Sequence, residues 1–568
     1  MAKRLAITIA GAVSLGSYEA GVIYEVLDAI EQHNATPGLD AAEKIEIDVL
    51  TGASSGGMTA AILAHKMLYA AGEFRGPYDN PLYNVWVKRV DLAGLVATED
   101  EDTGEAEPAM RSIFSSNLVE SVMDELLLDR YESETPTTPV RHSAAAPSIS
   151  LGMTLTNLNG VDYGYEMHPG GKVTYTRHDD RIARTLDATT DRRDVWLEIK
   201  QAAVASGAFP LAFRAKELVR PRNDYARENL EPWSEETRRF TYTDGAVLQS
   251  EPLAMAKRIV NQRDRHWNND SRFYLFITPH GKDSSVDQGF CEEQADYMDM
   301  AKRLAKVILA QSEFEDWLKA EEVNHGIDLL DARARGVQQS LRTGAVSAQV
   351  LQQSADALLP VLFGVVEIRQ PREIATASGE TLDEARRRIA HQYEQEMREL
   401  GEGSAEAIAF RDTVLVMERS ANLGEKDRMR IYGITVSEQQ LAGAELTAFL
   451  GFFHERYRQH DYDRGRLVAR AVLQDPMLSL PGELGPLHYT PGQTRPINLQ
   501  LNGLRLSDVP AEEQTVFREG MKRRVSAMVR ELIGIWSYPA NLAVIDPIMN
   551  ALLDQVFREE PRSGQPGD

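Results

Sequence analysis

The chain has 568 residues, more than one ordinary hydrophobic core accommodates, so two or three domains are expected. A hydrophobic fraction of 43% beside 26% charged residues belongs to a globular protein, and no run of 18 apolar residues is present to cross a bilayer as a helix. A formal charge of −24 repels phosphate backbones and anionic headgroups, which argues against nucleic acid as a partner and leaves membrane contact to apolar or locally basic patches.

Residues 5–10 alternate in polarity and read as a strand, which ends in Gly11-Ala12-Val13-Ser14-Leu15-Gly16 and leads into a helix over 17–31. Lys3 and Arg4 before a short apolar run also suit a secretory leader. The alternation, and a helix carrying Tyr18 and Glu19 with no small-residue cleavage site, favour the strand instead, and with it a cytoplasmic location with transient contact to a membrane surface. The turn offers backbone N–H groups at a helix N-terminus, which suits an anion or a developing oxyanion, although a plain tight connection would look the same.

Residues 45–61, IEIDVLTGASSGGMTAA, give a strand through Ile45, Ile47 and Val49, a tight turn, and an alanine-rich helix. Gly52, Ser54 and Gly56 have the G-x-S-x-G spacing. A serine on a sharp strand-to-helix turn has strained backbone angles, and side chains at the flanking positions would collide with the neighbouring strand and helix. By chance alone the pentapeptide arises about once in six chains of this length, so its weight comes from the strand, turn and helix around it.

From 91 to 146 the pattern weakens into an acidic loop at 99–107 and a loop rich in Pro, Thr and Ala at 135–146; the first suits a solvated surface or a lid over a cleft. Strand character returns at 148–157, and a helix over 194–205 runs into Ser206-Gly207-Ala208-Phe209-Pro210. After a charged excursion at 221–239, residues 240–250 give a strand that ends in Asp244-Gly245-Ala246, and 271–278 form another. The first 280 or so residues therefore read as an α/β domain with a largely parallel sheet. Cys291, the only cysteine, can form neither an intramolecular disulfide nor a cysteine zinc cluster. Beyond 287 the pattern is helical at 296–320, 381–400, 442–457 and 514–536, the last interleaved with Lys522, Arg523, Arg524 and Arg530. Strand-like pieces lie at 361–369 and 427–436. The expected division is a catalytic domain over 1–285 and a mainly helical domain over 286–568.

Four separated pieces, the turn at 11–16, the elbow at 52–56, Ala205-Ser206-Gly207-Ala208-Phe209-Pro210 and Asp244-Gly245-Ala246, occur in one order and together resemble the patatin-like phospholipases. The resemblance covers about residues 4–280. It implies a three-layer α/β/α domain with a central, mostly parallel sheet, followed here by the mainly helical C-terminal region. It also implies hydrolysis of lipid acyl esters, of phospholipase A or lysophospholipase type, by a Ser/Asp dyad with no metal or cofactor. Carried over, Ser54 is the nucleophile and Asp244 takes its proton, Gly52, Gly56 and Gly245 complete the motifs, and the N–H groups of Gly11, Ala12 and Val13 hold the tetrahedral oxygen. The turn departs from the family's three successive glycines and following basic residue, since Ala12, Val13 and Leu15 stand there. Positive φ disfavours a β-branched residue, so this departure bears on turnover more than on fold. Residues 449–467, FLGFFHERYRQHDYDRGRL, are similar to a stretch in the C-terminal part of long bacterial patatin-related proteins, and a structural role fits them. Two alternatives stay open. One is a patatin-shaped binding or regulatory protein without efficient catalysis. The other is a Ser-Asp-His α/β-hydrolase in which His280 follows Asp244; in a dyad His280 is only a loop residue between Pro279 and Gly281.

Overall fold

Alternation along the first strand becomes two buried faces of a sheet. The computed structural model describes residues 2–97, 112–132, 138–166, 171–225, 233, 235–264, 271–281, 300, 307, 315–369, 380–424 and 428–533. In β1 (Lys3–Ile9), Leu5, Ile7 and Ile9 point into the main core, while Ala6 meets Val49, Met255 and Tyr274 on the opposite face. The chain continues through α1 (Gly16–Asn34), β2 (Ile45–Gly52), α2 (Ser55–Tyr69), α3 (Ser116–Leu127), β3 (Ala145–Glu166) and β4 (Lys172–Leu186). It then forms α4 (Arg193–Ser206), β5 (Lys216–Pro221), β6 (Thr237–Asp244), α5 (Leu253–Arg263) and β7 (Arg272–Gly281).

Strand order is β5-β6-β3-β2-β1-β7-β8, where β8 is the later strand Ile431–Ser437, with β4 paired to β3. The pairs β1–β2, β2–β3, β1–β7 and β7–β8 are parallel, and β3–β4, β3–β6 and β5–β6 are antiparallel, so the sheet is mixed and mostly parallel. Helices α1, α2 and α4 cover one face and α5 the other, which gives the α/β/α layering.

The helical region begins with α6 (Glu315–Arg342), α7 (Ala348–Arg369), α8 (Leu382–Gln392), α9 (Glu394–Leu400) and α10 (Ala405–Ser420). These have a separate core of Ile327, Leu330, Ile389, Phe410, Val414 and their neighbours. The strand-like piece at 361–369 is the end of α7, so its β-branched run is overridden by a helix that already extends from Ala348.

The division at 285/286 does not separate two cores. After the helical bundle the chain returns as β8 (Ile431–Ser437), pairs in parallel with β7, and places Ile434 and Val436 in the same core as Leu5. Helix α11 (Glu455–Leu473) then lies along α1. A Cβ on Gly21 would sit 2.0 Å from the Tyr462 carbonyl oxygen, and one on Gly465 would sit 2.1 Å from that of Tyr18, so glycine on both helices permits the close crossing. Buried Glu25 of α1 accepts from Arg466 at 3.0 Å and Arg470 at 2.6 Å. The stretch at 449–467 thus holds the helix that follows the first glycine turn.

Helix α12 (Ala511–Ile533) packs on the first half, where buried Arg524 donates to the carbonyls of Ala97, Ser112 and Ile113. The acidic loop at 99–107 and Cys291 lie outside the described residues. No described helix is long and apolar enough to cross a membrane.

Candidate active site

Two strand-to-helix turns meet at the ends of the adjacent parallel strands β1 and β2. At the end of β2, Ser54 has φ +53° and φ/ψ outside the ordinary regions for an L-residue. The flanking glycines are needed for close approach: a Cβ on Gly52 would sit 2.2 Å from the Gly56 carbonyl oxygen, and one on Gly56 would sit 2.2 Å from that of Ala10. The elbow therefore presses directly against the end of β1. Helix α2 starts at Ser55 and directs its positive end to this junction.

Ser54 Oγ donates to Asp244 Oδ2 at 2.5 Å across 190 residues of sequence. Asp244 ends β6, and its other carboxylate oxygen accepts from the amide of Ala246 at 2.7 Å. Its own amide donates to the Ala208 carbonyl at 2.9 Å, which ties it to the Ala205–Pro210 segment. Asp244 has no exposed surface and Ser54 only 5%. Burial pushes the Asp244 carboxyl up to about 7, against the opposing pull of the hydrogen bonds from Ser54 and Ala246. A carboxyl that titrates near neutrality, bonded to a hydroxyl on a strained turn, is poised to accept that hydroxyl's proton.

The turn after β1 differs from the expectation of three available oxyanion donors. The Gly11 amide donates to the Ser250 carbonyl at 3.1 Å, and the Ala12 amide to Ser55 Oγ at 2.8 Å. Only the Val13 amide, of the three, makes no hydrogen bond among the described residues. Val13 has φ +50°, a conformation costing roughly 1–2 kcal/mol for a β-branched side chain. Gly11 itself lies against Ser54: a Cβ there would sit 2.8 Å from Ala246 Cβ and 3.2 Å from Ser54 Cβ.

Other residues complete the arrangement. Ser206 Oγ accepts the Ser54 amide at 3.1 Å, so that N–H steadies the elbow. The resemblance had pointed to this segment but gave Ser206 no role. His280 Nε2 lies 2.7 Å from the Gly11 carbonyl oxygen, and Asp244 bonds to Ser54 directly, so the histidine does not stand between them. Phe449 stacks on Phe114 at 5.3 Å and meets Phe209, the chain neighbour of Ala208, edge-on at 5.7 Å, forming an aromatic cluster. A cavity of about 700 Å³ lies elsewhere, beside β8 between Trp317, Tyr432 and Met477.

The sequence model of the family described as patatin-like phospholipase matches residues 7–257, a span that contains Ser54, Asp244 and both turns. Residues 7–257 are a patatin-like phospholipase domain. Among curated relatives, the uncharacterized protein y4iI of Sinorhizobium fredii (strain NBRC 101917 / NGR234) is 28% identical, over 41% of this chain and 39% of its own. The uncharacterized membrane protein Rv3479 of Mycobacterium tuberculosis (strain ATCC 25618 / H37Rv) is 25% identical, over 41% of this chain and 21% of its own. The match spans less than half the length of either relative.

Proposed function

We propose that the patatin-like domain hydrolyses carboxylic esters of lipids, of phospholipase A or lysophospholipase type, with Ser54 as nucleophile and Asp244 as its proton acceptor. The observation that carries this reading is the 2.5 Å contact between Ser54 Oγ and a fully buried carboxyl that titrates near neutrality. Ser54 Oγ attacks the acyl carbonyl carbon as its proton passes to Asp244 Oδ2. The tetrahedral intermediate collapses, the bond to the alcohol oxygen breaks, and Asp244 returns the proton to that oxygen. Water then attacks the acyl-enzyme with Asp244 taking its proton, the bond to Ser54 Oγ breaks, Asp244 returns the proton to Oγ, and the fatty acid leaves. The open Val13 amide and the N-terminal end of α2 would stabilise the negative oxygen, an oxyanion donor being worth about 3 kcal/mol. The cluster of Phe114, Phe209 and Phe449 suits the acyl chain.

A patatin-fold binding protein without turnover is the second reading, and it is favoured by the internal bonds of the Gly11 and Ala12 amides. The Ser-Asp-His triad loses ground because His280 bonds to a backbone carbonyl rather than bridging serine and aspartate. Incubating wild type and Ser54→Ala with a fluorophosphonate probe and a panel of phospholipids tests the proposal. Labelling and fatty-acid release in wild type alone are expected, and an unlabelled, inactive wild type would favour the binding protein.

A further inference from the structure

His280 stands at the end of β7, where the pairing with β8 is interrupted between Thr278 and Gly281. Its Nε2 is 2.7 Å from the Gly11 carbonyl oxygen, and since a carbonyl only accepts, that nitrogen carries the hydrogen. Nδ1 faces Glu438 at 3.8 Å, a residue just past the end of β8, so a strand from the second half of the chain borders this histidine.

The Gly11 carbonyl and the Ala12 amide belong to one rigid peptide plane. That plane is held at both edges, by His280 on the oxygen and by Ser55 Oγ on the N–H at 2.8 Å. The next plane joins Ala12 to Val13. Its carbonyl accepts from Leu15 at 2.9 Å, and its N–H is the open amide of the turn. Two hinge angles at Ala12 connect the planes, so the direction of the open N–H depends on how firmly the first is fixed. Strain at Val13, φ +50°, works against the arrangement, and such a conformation persists only where its surroundings over-determine it.

We propose that His280 is a positioning residue for the reaction: by holding the Gly11 carbonyl it fixes the peptide that aims the Val13 N–H at the developing oxyanion. This rests on the reading of Ser54 as nucleophile. The role needs a donor at Nε2 and no change of protonation state, and imidazole and imidazolium both supply one.

The test compares wild type, His280→Ala, His280→Gln and Ser54→Ala on one soluble ester and one fluorophosphonate, after circular dichroism has shown each variant folded. Glutamine can place an N–H donor close to the position of Nε2, whereas alanine has none. Removing an oxyanion donor outright costs about 10²–10³ in kcat, so misaiming one should cost about tenfold or more. His280→Ala is expected to lower kcat by that amount with KM within about twofold, to slow labelling in parallel, and to be restored to within about threefold by glutamine. A kcat for His280→Ala within about twofold of wild type, or a loss that glutamine does not recover, would overturn the proposal. If Ser54→Ala is inactive while His280→Ala is unimpaired, only the role of His280 falls. If Ser54→Ala keeps its activity and its label, the dyad reading falls and takes this inference with it.

Discussion

The two turns at the ends of β1 and β2 solve the same geometric problem with different residues. At the elbow, Gly52 and Gly56 are needed because backbone from the neighbouring strand and helix fills the space where a Cβ would stand. In the turn after β1, Gly11 is needed because the Cβ atoms of Ala246 and Ser54 crowd it, but the next two positions carry Ala12 and Val13. Ala12 keeps negative φ and Val13 takes the left-handed conformation at an energetic cost. Glycine thus stands where packing excludes a side chain, and other residues stand where only backbone torsion asks for glycine. The two turns also have separate duties. One carries Ser54 and brings its hydroxyl to Asp244 at the end of β6, and the other presents a single open amide.

The largest effect should come from breaking the first of these. Ser54→Ala is expected to remove ester hydrolysis and fluorophosphonate labelling and to shift the thermal melt little, because the hydroxyl contributes one hydrogen bond and little packing. Residual activity within about tenfold of wild type contradicts this. Asp244→Asn comes next, with a loss of about a hundredfold or more in kcat/KM, since the amide keeps the size of the carboxyl but cannot take the proton.

Asp244 also links activity to stability in opposite senses. Its folded carboxyl titrates at about 7, against 3.8 for an ordinary aspartate, so between those pH values the folded chain binds more protons than the unfolded one. Stability from this group is therefore fully present below about pH 3.8 and falls as pH rises toward 7. Asp244→Asn should be more stable than wild type at pH 8, by up to a few kcal/mol at about 1.4 kcal/mol per tenfold change in proton binding. Urea denaturation of both proteins at pH 5 and pH 8 measures it, and equal differences at the two pH values would refute it.

A smaller effect belongs to the second turn. Val13→Gly keeps the open N–H and relieves the left-handed strain, so kcat should stay within about fivefold of wild type and the folded state should gain or lose no more than about 1 kcal/mol. A loss comparable to that of Asp244→Asn would mean the valine side chain itself is needed. Smallest is the aromatic cluster: Phe449→Ala should raise KM for a long-chain ester by about fivefold and leave a short acetyl ester nearly unchanged. Equal changes on both esters would remove the cluster from acyl-chain binding.

Much of the first domain was legible in the sequence because its signals are local. Strand alternation gave β1 and β2, and the glycine spacing placed Ser54 on a turn. The ordered motifs, read through the family resemblance, paired Ser54 with Asp244 across 190 residues. Less legible were contacts that depend on the return of the chain. β8 was visible as a strand-like piece, but 149 residues separate the end of β7 from its start, and no local pattern says that it pairs with β7. The crossing of α1 and α11 needs Gly21 and Gly465 together, and each alone looks like an ordinary helix glycine. The segment 361–369 misled because its β-branched residues favour a strand locally, while the helix from Ala348 continues through them. The occupied amides of Gly11 and Ala12 were hidden for a related reason, since their acceptors, Ser250 and Ser55, come from other elements.

In the proposed reaction Ser54 and Asp244 act as a dyad with no histidine between them. The pH dependence of kcat/KM on one soluble ester, for wild type and Asp244→Asn, tests it most directly. The wild-type rate is expected to rise about tenfold per pH unit below about 7 and to level off above, and Asp244→Asn to lie at least about a hundredfold lower and to lack that inflection. An Asp244→Asn variant that keeps both the rate and the inflection near 7 would contradict it, because another group would then be taking the proton from Ser54.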